Sequence, residues 1–339
     1  MKILLPVALA LGVALVPMAG FAVADLHVLF GVVIPYLAFA TFVGGFLWRI
    51  AGWVRTPVPF NITTTAGQQK SLPWIKHDWV ENPSGAGGVV VRMAAEVFLF
   101  RSLFRNTQSG IVDGRLIAFS AKGLWVIGML FHYSMLVVVL RHLRFFLPVV
   151  PGAINGLATL DGLFQIGPPT LYFTDLFFIG AVTLLFLRRV AERQVRLISL
   201  PGDFFPLAVL FLIGASGVLM RYLFHVDIPG IKAHMLSLLQ LHPAAMRLDV
   251  AFYVHLFLVS VLLAYFPFSK LVHAGGVFLS PTRNMPNDAR VHRHINPWDY
   301  PAPPHSYADY ENDFREKMID ADLPVDSTEA TQTSHGGHS

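Results

Sequence analysis

Apolar residues in this chain do not alternate or recur every third or fourth position. They run nearly unbroken over roughly residues 3–22, 27–48, 120–147, 171–187, 204–224 and 250–270. A helix needs about 20 apolar residues to cross a hydrocarbon layer of about 30 Å. Inside that layer every backbone polar group must be satisfied within the protein, which a helix achieves by itself. The pattern predicts an all-α integral membrane protein with six transmembrane helices. Residues 1–24 read as an N-terminal transmembrane helix, 25–275 as the main membrane domain with a long polar loop over 49–116, and 276–339 as a polar tail.

Inside the long loop, Val89 to Phe104 intersperses Arg92, Glu96 and Arg101 among apolar residues. That spacing suits an amphipathic helix lying on the membrane surface or against a partner. Pro57, Pro59, Pro73, Pro83 and the Gly85–Gly88 stretch predict that the rest of the loop is irregular. Pro281, Pro286, Pro297, Pro301, Pro303 and Pro304 predict an extended tail, ending in a disordered Ser327–Ser339.

Composition agrees: 54% of the 339 residues are hydrophobic, only 14% are charged, and the mean hydropathy is +0.56. A soluble domain would need more charge to cover its surface. The net charge of +4 does not point to nucleic acid, because the basic residues flank the apolar runs and act there as topology signals. Arg49, Arg55, Lys70, Lys76, Arg92, Arg101, Arg105 and Arg115 lie in 49–116. Arg188, Arg189, Arg193 and Arg196 follow the fourth run; Lys270, Arg283, Arg290, Arg293, Arg315 and Lys317 lie at the end of the last run and in the tail. The opposite loops hold only Lys232 and Arg247, with Arg141, Arg144 and Arg221 at helix ends. The positive-inside rule therefore places the long loop, the Arg-rich connector and the tail in the cytoplasm, with Asp25 outside. Met1-Lys2, the first apolar run and Ala22-Val23-Ala24 also resemble a secretory signal; the long run favours a retained helix.

The chain has no cysteine, which excludes disulfides, covalent c-type haem and cysteine-held iron–sulfur clusters within it. If the chain handles electrons, its cofactor must be held by histidine, or the centres must sit in partners. Of fourteen histidines, His77, His292, His294, His305, His335 and His338 lie in polar segments, His27 at the outer end of the second run, and His225, His234 and His242 in an outer loop where a surface role is expected. His132 and His142 lie on the third run, His255 and His273 on the sixth. Polar side chains within a bilayer are costly and mark pathways or cofactors.

The third and sixth spans are antiparallel, so His142 and His255 fall toward the outer face and His132 and His273 toward the inner one. Two imidazoles from facing helices, one on each side of a porphyrin, suit electron transfer. The depths do not match on straight helices: ten residues rise about 15 Å and eighteen about 27 Å. Pro267 should bend the sixth span between its histidines. Gly128, Gly214 and Gly217 suit either the close approach of a flat macrocycle or helix packing.

Phe252-Tyr253-Val254-His255, then Phe266-Pro267-Phe268-Ser269-Lys270-Leu271-Val272-His273, resembles the last helix of the respiratory nitrate reductase gamma subunit family. The His132/His142 spacing and Ile34-Pro35-Tyr36 are similar to that family's other helices. Ser71-Leu72-Pro73-Trp74, the Ser280–Pro286 stretch, Asn296-Pro297-Trp298 and Tyr310–Lys317 resemble one branch of it, the membrane cytochrome b subunits (DsrM type) of the DsrMKJOP complexes of dissimilatory sulfur metabolism.

The resemblance implies a di-haem cytochrome b domain over 25–275, with His132 and His273 holding the haem nearer the cytoplasm and His142 and His255 the haem nearer the outside. It implies two haem b, a menaquinone-like quinone as substrate, and a heterodisulfide-reductase-like iron–sulfur partner in the cytoplasm. It further implies additional membrane and periplasmic subunits with haem c and iron–sulfur centres, and a bacterial or archaeal cytoplasmic membrane with the C-terminus inside. The family's quinol-site lysine has no counterpart in 143–170, which leaves Arg141, Arg144 and Asp161 as candidate quinone or propionate contacts and no catalytic residue of the chain's own. A nitrate reductase gamma-type subunit and a haem-bearing anchor without quinone chemistry stay open as alternatives. A metal transporter built on the four histidines leaves the motif match unexplained, and only Asp175 lies deep enough to serve a cation path.

Overall fold

The structure, a computed structural model, describes residues 2–58, 61, 74, 76–162, 169–244, 246–288 and 304–326. Expectations for Ser71-Leu72-Pro73, Asn296-Pro297-Trp298, His292, His294, His335, His338 and Ser327–Ser339 lie outside those residues. The chain divides into two compact units, Met1–His294 and Ile295–Ser339.

In the first unit α1 covers Leu4–Val23, and a π-helical turn over Leu29–Val33 leads into α2, Ile34–Val54. Next come α3 (Ala86–Leu99), α4 (Arg101–Phe104), and a hairpin of β1 (Thr107–Val112) and β2 (Arg115–Ser120). Then follow α5 (Lys122–His142), α6 (Gly152–Asp161), α7 (Phe173–Ala191), α8 (Arg193–Ile198) and α9 (Pro201–Leu219). The unit closes with α10 (Ile228–Leu239), α11 (Val250–Tyr265) and α12 (His273–Gly276). The second unit holds α13, Tyr307–Asp320.

Among the described residues five helices are long and apolar enough to cross a membrane: Leu4–Val23, Leu29–Val54, Lys122–Phe145, Pro201–Phe224 and Val250–Phe268. The run expected at 171–187 forms α7, whose 19 residues include Asp175, Arg188 and Arg189. That polarity separates it from the other five. Its charges suit its dipole, with the acid in the first turn and the bases in the last.

The packing order is α5 on α7, α7 on α9, α9 on α11 and α11 on α2, with α1 laid over α9 and α11. Pro6, Ala10 and Pro17 make a buried seam of compact side chains along α1, which lets helix backbones approach closely. One apolar cluster joins Phe131 on α5 to Phe178, Ala181 and Val182 on α7 and Leu210 on α9. A second joins Phe30 in the π turn to Ile231 on α10 and to Phe252, Tyr253 and Leu256 on α11. None of the histidines of α5 and α11 belongs to either cluster.

The amphipathic segment is a helix, broken at Phe100, and its polar face points inward. Arg92 and Glu96 are buried, whereas Val90, Val91, Phe98 and Leu99 are exposed. The buried Glu81 explains this orientation: it faces Arg92 at 3.9 Å, Arg101 at 3.3 Å and Arg105 at 2.6 Å. Glu96 accepts from the Ser102 backbone and hydroxyl and faces Arg283 at 3.6 Å. Asn61 donates to the carbonyls of Pro281 and Met285, and the Asn287 backbone donates to Pro83, so the first tail residues belong to this polar platform. Burial pushes the Arg92 guanidinium below its ordinary value, against the pull of Glu81 and Glu96.

The loop is not irregular throughout. Asp113 and Gly114 both adopt positive φ, 51° and 74°, the geometry of a tight hairpin turn, and Val112 pairs with Arg115. The tail is not wholly extended either: α13 starts with a reciprocal Ser306–Asp309 capping box.

Asp78 supplies a pH test of the platform. Its carboxylate accepts from the backbone of Val80 at 2.9 Å and Glu81 at 3.0 Å. Chiefly the Glu81 bond, together with the Val80 bond and the nearby Arg101 and Arg105, holds it below the usual carboxylate range. A depressed carboxylate stabilises the fold above its unfolded value and stops doing so as pH falls through the folded one. Amide exchange at Val80 and Glu81 is therefore expected to be unaffected down to pH near 4 and to lose protection at lower pH. In Asp78→Asn that acid-dependent loss should disappear.

Candidate functional site

The rings of His132 and His273 lie 6.1 Å apart, centroid to centroid, with their planes at 83°. Those of His142 and His255 lie 6.3 Å apart with planes at 16°. Both expected pairs therefore face each other between α5 and the α11–α12 segment. His273 does not continue the α11 helix. The chain makes a 3₁₀ turn at Phe266–Phe268, extends at Ser269, turns again over Lys270–Val272 and only then forms α12. This break removes the depth mismatch between ten residues of α5 and the eighteen that separate His255 from His273 on the other side.

Each imidazole has its Nδ1 occupied. His132 Nδ1 meets the Gly128 carbonyl at 2.8 Å and His142 Nδ1 the Val138 carbonyl at 2.7 Å. His273 Nδ1 meets the Lys270 carbonyl at 2.8 Å. His255 Nδ1 meets Ser216 Oγ at 2.9 Å, and that hydroxyl itself donates to the Ile213 carbonyl. Since a carbonyl only accepts, Nδ1 must carry the proton in the first three, and the committed Ser216 hydroxyl gives the same result for His255. The lone pair is then on Nε2 in all four, the tautomer a metal-binding histidine adopts when its other nitrogen is hydrogen-bonded.

The spacing tests the fit to a metal held between each pair. A metal–nitrogen bond of about 2 Å, plus roughly 1.1 Å from that nitrogen to the ring centre, doubled across the metal, gives about 6.2 Å. Both pairs stand within that reach, and the four residues fit a macrocycle iron. Gly217 faces the His255 ring, since a Cβ there would lie 3.5 Å from Cε1, whereas Gly214 is a packing glycine against Phe178. Phe100 places its ring edge-on to His132 at 4.8 Å from a left-handed backbone, φ 48°, a conformation unusual for a bulky residue. Trp125 and Tyr133 hold it there by donating to the carbonyls of Leu99 and Phe98.

Arg141 and Asp161, two of the candidate contacts, pair with each other. Arg141 sits 2.9 Å from Asp161 and 2.5 Å from Asp175, with its guanidinium over the Tyr172 ring. Asp161 also accepts from the backbone and hydroxyl of Thr174 at the start of α7. Arg144 Nε donates to the Arg141 carbonyl. Among the described residues Arg141 Nε is buried without a hydrogen-bond partner, a donor left over in the residue next to His142.

Ser216 was not singled out by sequence, where its signal is a hydroxyl inside an apolar run, and Lys270 was read only as a topology charge within the last helix's motif. His234, expected at the surface, is 1% exposed. It meets the Gly31 carbonyl at 3.0 Å, where the π turn disturbs the regular ladder.

The family model described as "Nitrate reductase gamma subunit" matches residues 94–293, a stretch that holds all four histidines. Two similar proteins are described as "Hdr-like menaquinol oxidoreductase cytochrome b-like subunit". The one from Archaeoglobus fulgidus is 45% identical over 80% of this chain and 84% of its own length. The one from Archaeoglobus profundus is 40% identical over 78% of this chain and 81% of its own. With its membrane helices and this extent of similarity, the chain is a multi-pass membrane protein that belongs to the nitrate reductase gamma subunit family.

Proposed function

We propose that this chain is a di-haem b subunit that carries electrons between a menaquinone-like pool and an iron–sulfur partner at the cytoplasmic face, in dissimilatory sulfur metabolism. The observation that carries the proposal is the pair of facing imidazole couples, 6.1 and 6.3 Å apart, with every Nδ1 committed elsewhere. The relatives' description as Hdr-like menaquinol oxidoreductase subunits supports the quinone and the kind of partner. The resemblance of the tail motifs supports the sulfur branch.

Bound haem supplies reversible one-electron chemistry, the link needed between a two-electron quinol and a one-electron acceptor. The protein's own contribution is binding and orientation. His142 and His255 hold the outer site and His132 and His273 the inner one. The Nδ1 partners fix each ring's tautomer and direction. Arg141 offers its free Nε–H to a carboxylate or quinone oxygen near the outer pair, while Asp161 and Asp175 keep its charge compensated in a poorly solvated place.

The test is a dithionite-reduced minus oxidised optical spectrum with haem quantitation, on the purified chain and on His142→Ala and His273→Ala. Two b haems in the parent and one in each variant are expected. A folded parent without haem would refute the reading. Two haems that dithionite reduces and menaquinol does not would leave a haem-bearing anchor instead.

A further inference from the structure

We propose that Lys270 is a positioning residue: clamped to Asp203, it holds the His273 imidazole crosswise to His132 and so makes the inner iron site electronically unlike the outer one. The inference rests on the paired-histidine reading and adds to it an inequivalence of the two centres, together with the residue that creates it.

The two couples have almost the same ring separation and very different plane angles, 83° against 16°. Both α5 members are tethered in the same manner, Nδ1 to the carbonyl four residues earlier, yet ten residues leave them about 80° apart around the helix axis. The facing side adds a difference of its own. There His255 is tethered laterally by a hydroxyl on α9, Ser216. His273 is tethered by the carbonyl of Lys270, three residues earlier in a tight turn.

That turn is pinned locally by Ser269, which donates its hydroxyl to the Phe266 carbonyl and accepts from the Leu271 backbone. Ser269 itself is extended, with φ −119° and ψ 177°, so the direction of the following turn is set by what holds it from outside as well. Lys270 ties it to a fixed element. Its Nζ lies 2.7 Å from Asp203 Oδ1, and the Asp203 side chain is only 3% exposed. Asp203 Oδ2 accepts from the Leu200 backbone at 3.0 Å and faces Arg189 at 3.9 Å. One residue thus joins the rigid start of α9 to the carbonyl that directs the His273 ring. The Lys270 side chain is 75% exposed, so the ion pair adds little stability; what it supplies is direction.

Plane angle matters because each imidazole donates π density to the iron orbital perpendicular to its own ring. Parallel rings act on one of the two otherwise equal orbitals and split them. Crossed rings act on one each and leave them nearly equal. Oxidised low-spin iron then gives a rhombic electron paramagnetic resonance signal in the first case. In the second it gives a highly anisotropic signal with one dominant low-field feature. Ligand orientation and its outer hydrogen bonds are recognised means by which a protein sets haem electronics.

The experiment is low-temperature electron paramagnetic resonance on the oxidised full-length chain, with haem counted in each sample. The parent should show one signal of each kind. Lys270→Met and Asp203→Asn should move or broaden the low-field signal and leave the rhombic one unchanged, Lys270→Arg should restore it, and Ser216→Ala should move only the rhombic one. Should Lys270→Met lose the inner haem, Asp203→Asn carries the test, since it leaves residue 270 unchanged and weakens the clamp from the α9 side. Two signals of one kind in a two-haem parent, or a low-field signal indifferent to Asp203→Asn, would overturn the proposal while leaving the ligand reading intact. A parent with no haem would overturn both.

Discussion

His255→Ala is expected to leave one haem per chain and to slow menaquinol-driven reduction of that remaining haem on the order of 100-fold or more, while dithionite still reduces it fully. Losing a single outer hydrogen-bond partner already costs roughly 10–100-fold in metal affinity, and here a ligand itself goes. The Ser216 hydroxyl that held it has no reach to replace it, because it is engaged with the Ile213 carbonyl. His142 stays tethered to Val138 but faces nothing that can complete the site. The inner pair keeps both members, so the haem count should fall by half and not to zero. Electrons from a quinol at the outer end would then have to reach an iron about 15 Å farther along α5, the rise of the ten residues between His142 and His132. The check is stopped-flow reduction by a menaquinol analogue beside a dithionite endpoint. Wild-type rates in the one-haem variant would show that quinol electrons do not pass through the outer pair.

The proximity of these rings was legible because it depends on coarse properties: which runs span, which way each points, and at what depth its histidines fall. Loops with charge bias settle direction, and polarity inside an apolar run draws attention by itself. The detail that sequence did not carry is local backbone. Ser269 breaks the last helix with an ordinary extended conformation, and a Pro267 that predicts a bend does not predict a second turn beyond it. His234 was misplaced because its neighbours look like loop residues; Asp227 caps α10 by accepting from Gly230 at 3.1 Å, and the helix turns that imidazole inward onto Gly31.

The segment from Val89 to Phe104 was legible as an amphipathic helix. Periodicity shows that a helix has two faces but not what covers each, and here Glu81, distant in the polar loop, makes the charged face the inner one. The hairpin at Asp113-Gly114 and the capping box at Ser306 were both readable by local rules. They were masked by the proline and glycine content around them.

Glu81→Ala is expected to loosen the polar platform by about 3 kcal/mol without changing haem content. Glu81 has a side chain only 5% exposed and is the one carboxylate that faces Arg92, Arg101 and Arg105 together. Arg101 and Arg105 are 31% and 42% exposed and can turn to solvent. Arg92, at 3%, cannot. Removing one member of a buried pair costs more than the pair itself contributes, because the stranded charge has lost its solvation as well as its partner. Glu96 still offsets part of that cost, which puts the expected value at the low end of the usual range. Amide exchange across α3 should therefore speed up on the order of 100-fold, and trypsin should begin to cut at Arg92 and Arg101. The double substitution Glu81→Met with Arg92→Met should recover most of the protection, since apolar replacement of both partners removes the stranded charge. The distance from the ligands explains why haem should stay. Among the described residues the platform meets the His132 ring through Phe100, and the His132 tether to Gly128 lies within α5. Unchanged exchange in Glu81→Ala would mean that Glu96 alone compensates Arg92. Loss of the inner haem would mean instead that the platform, and not α5, fixes the direction of His132.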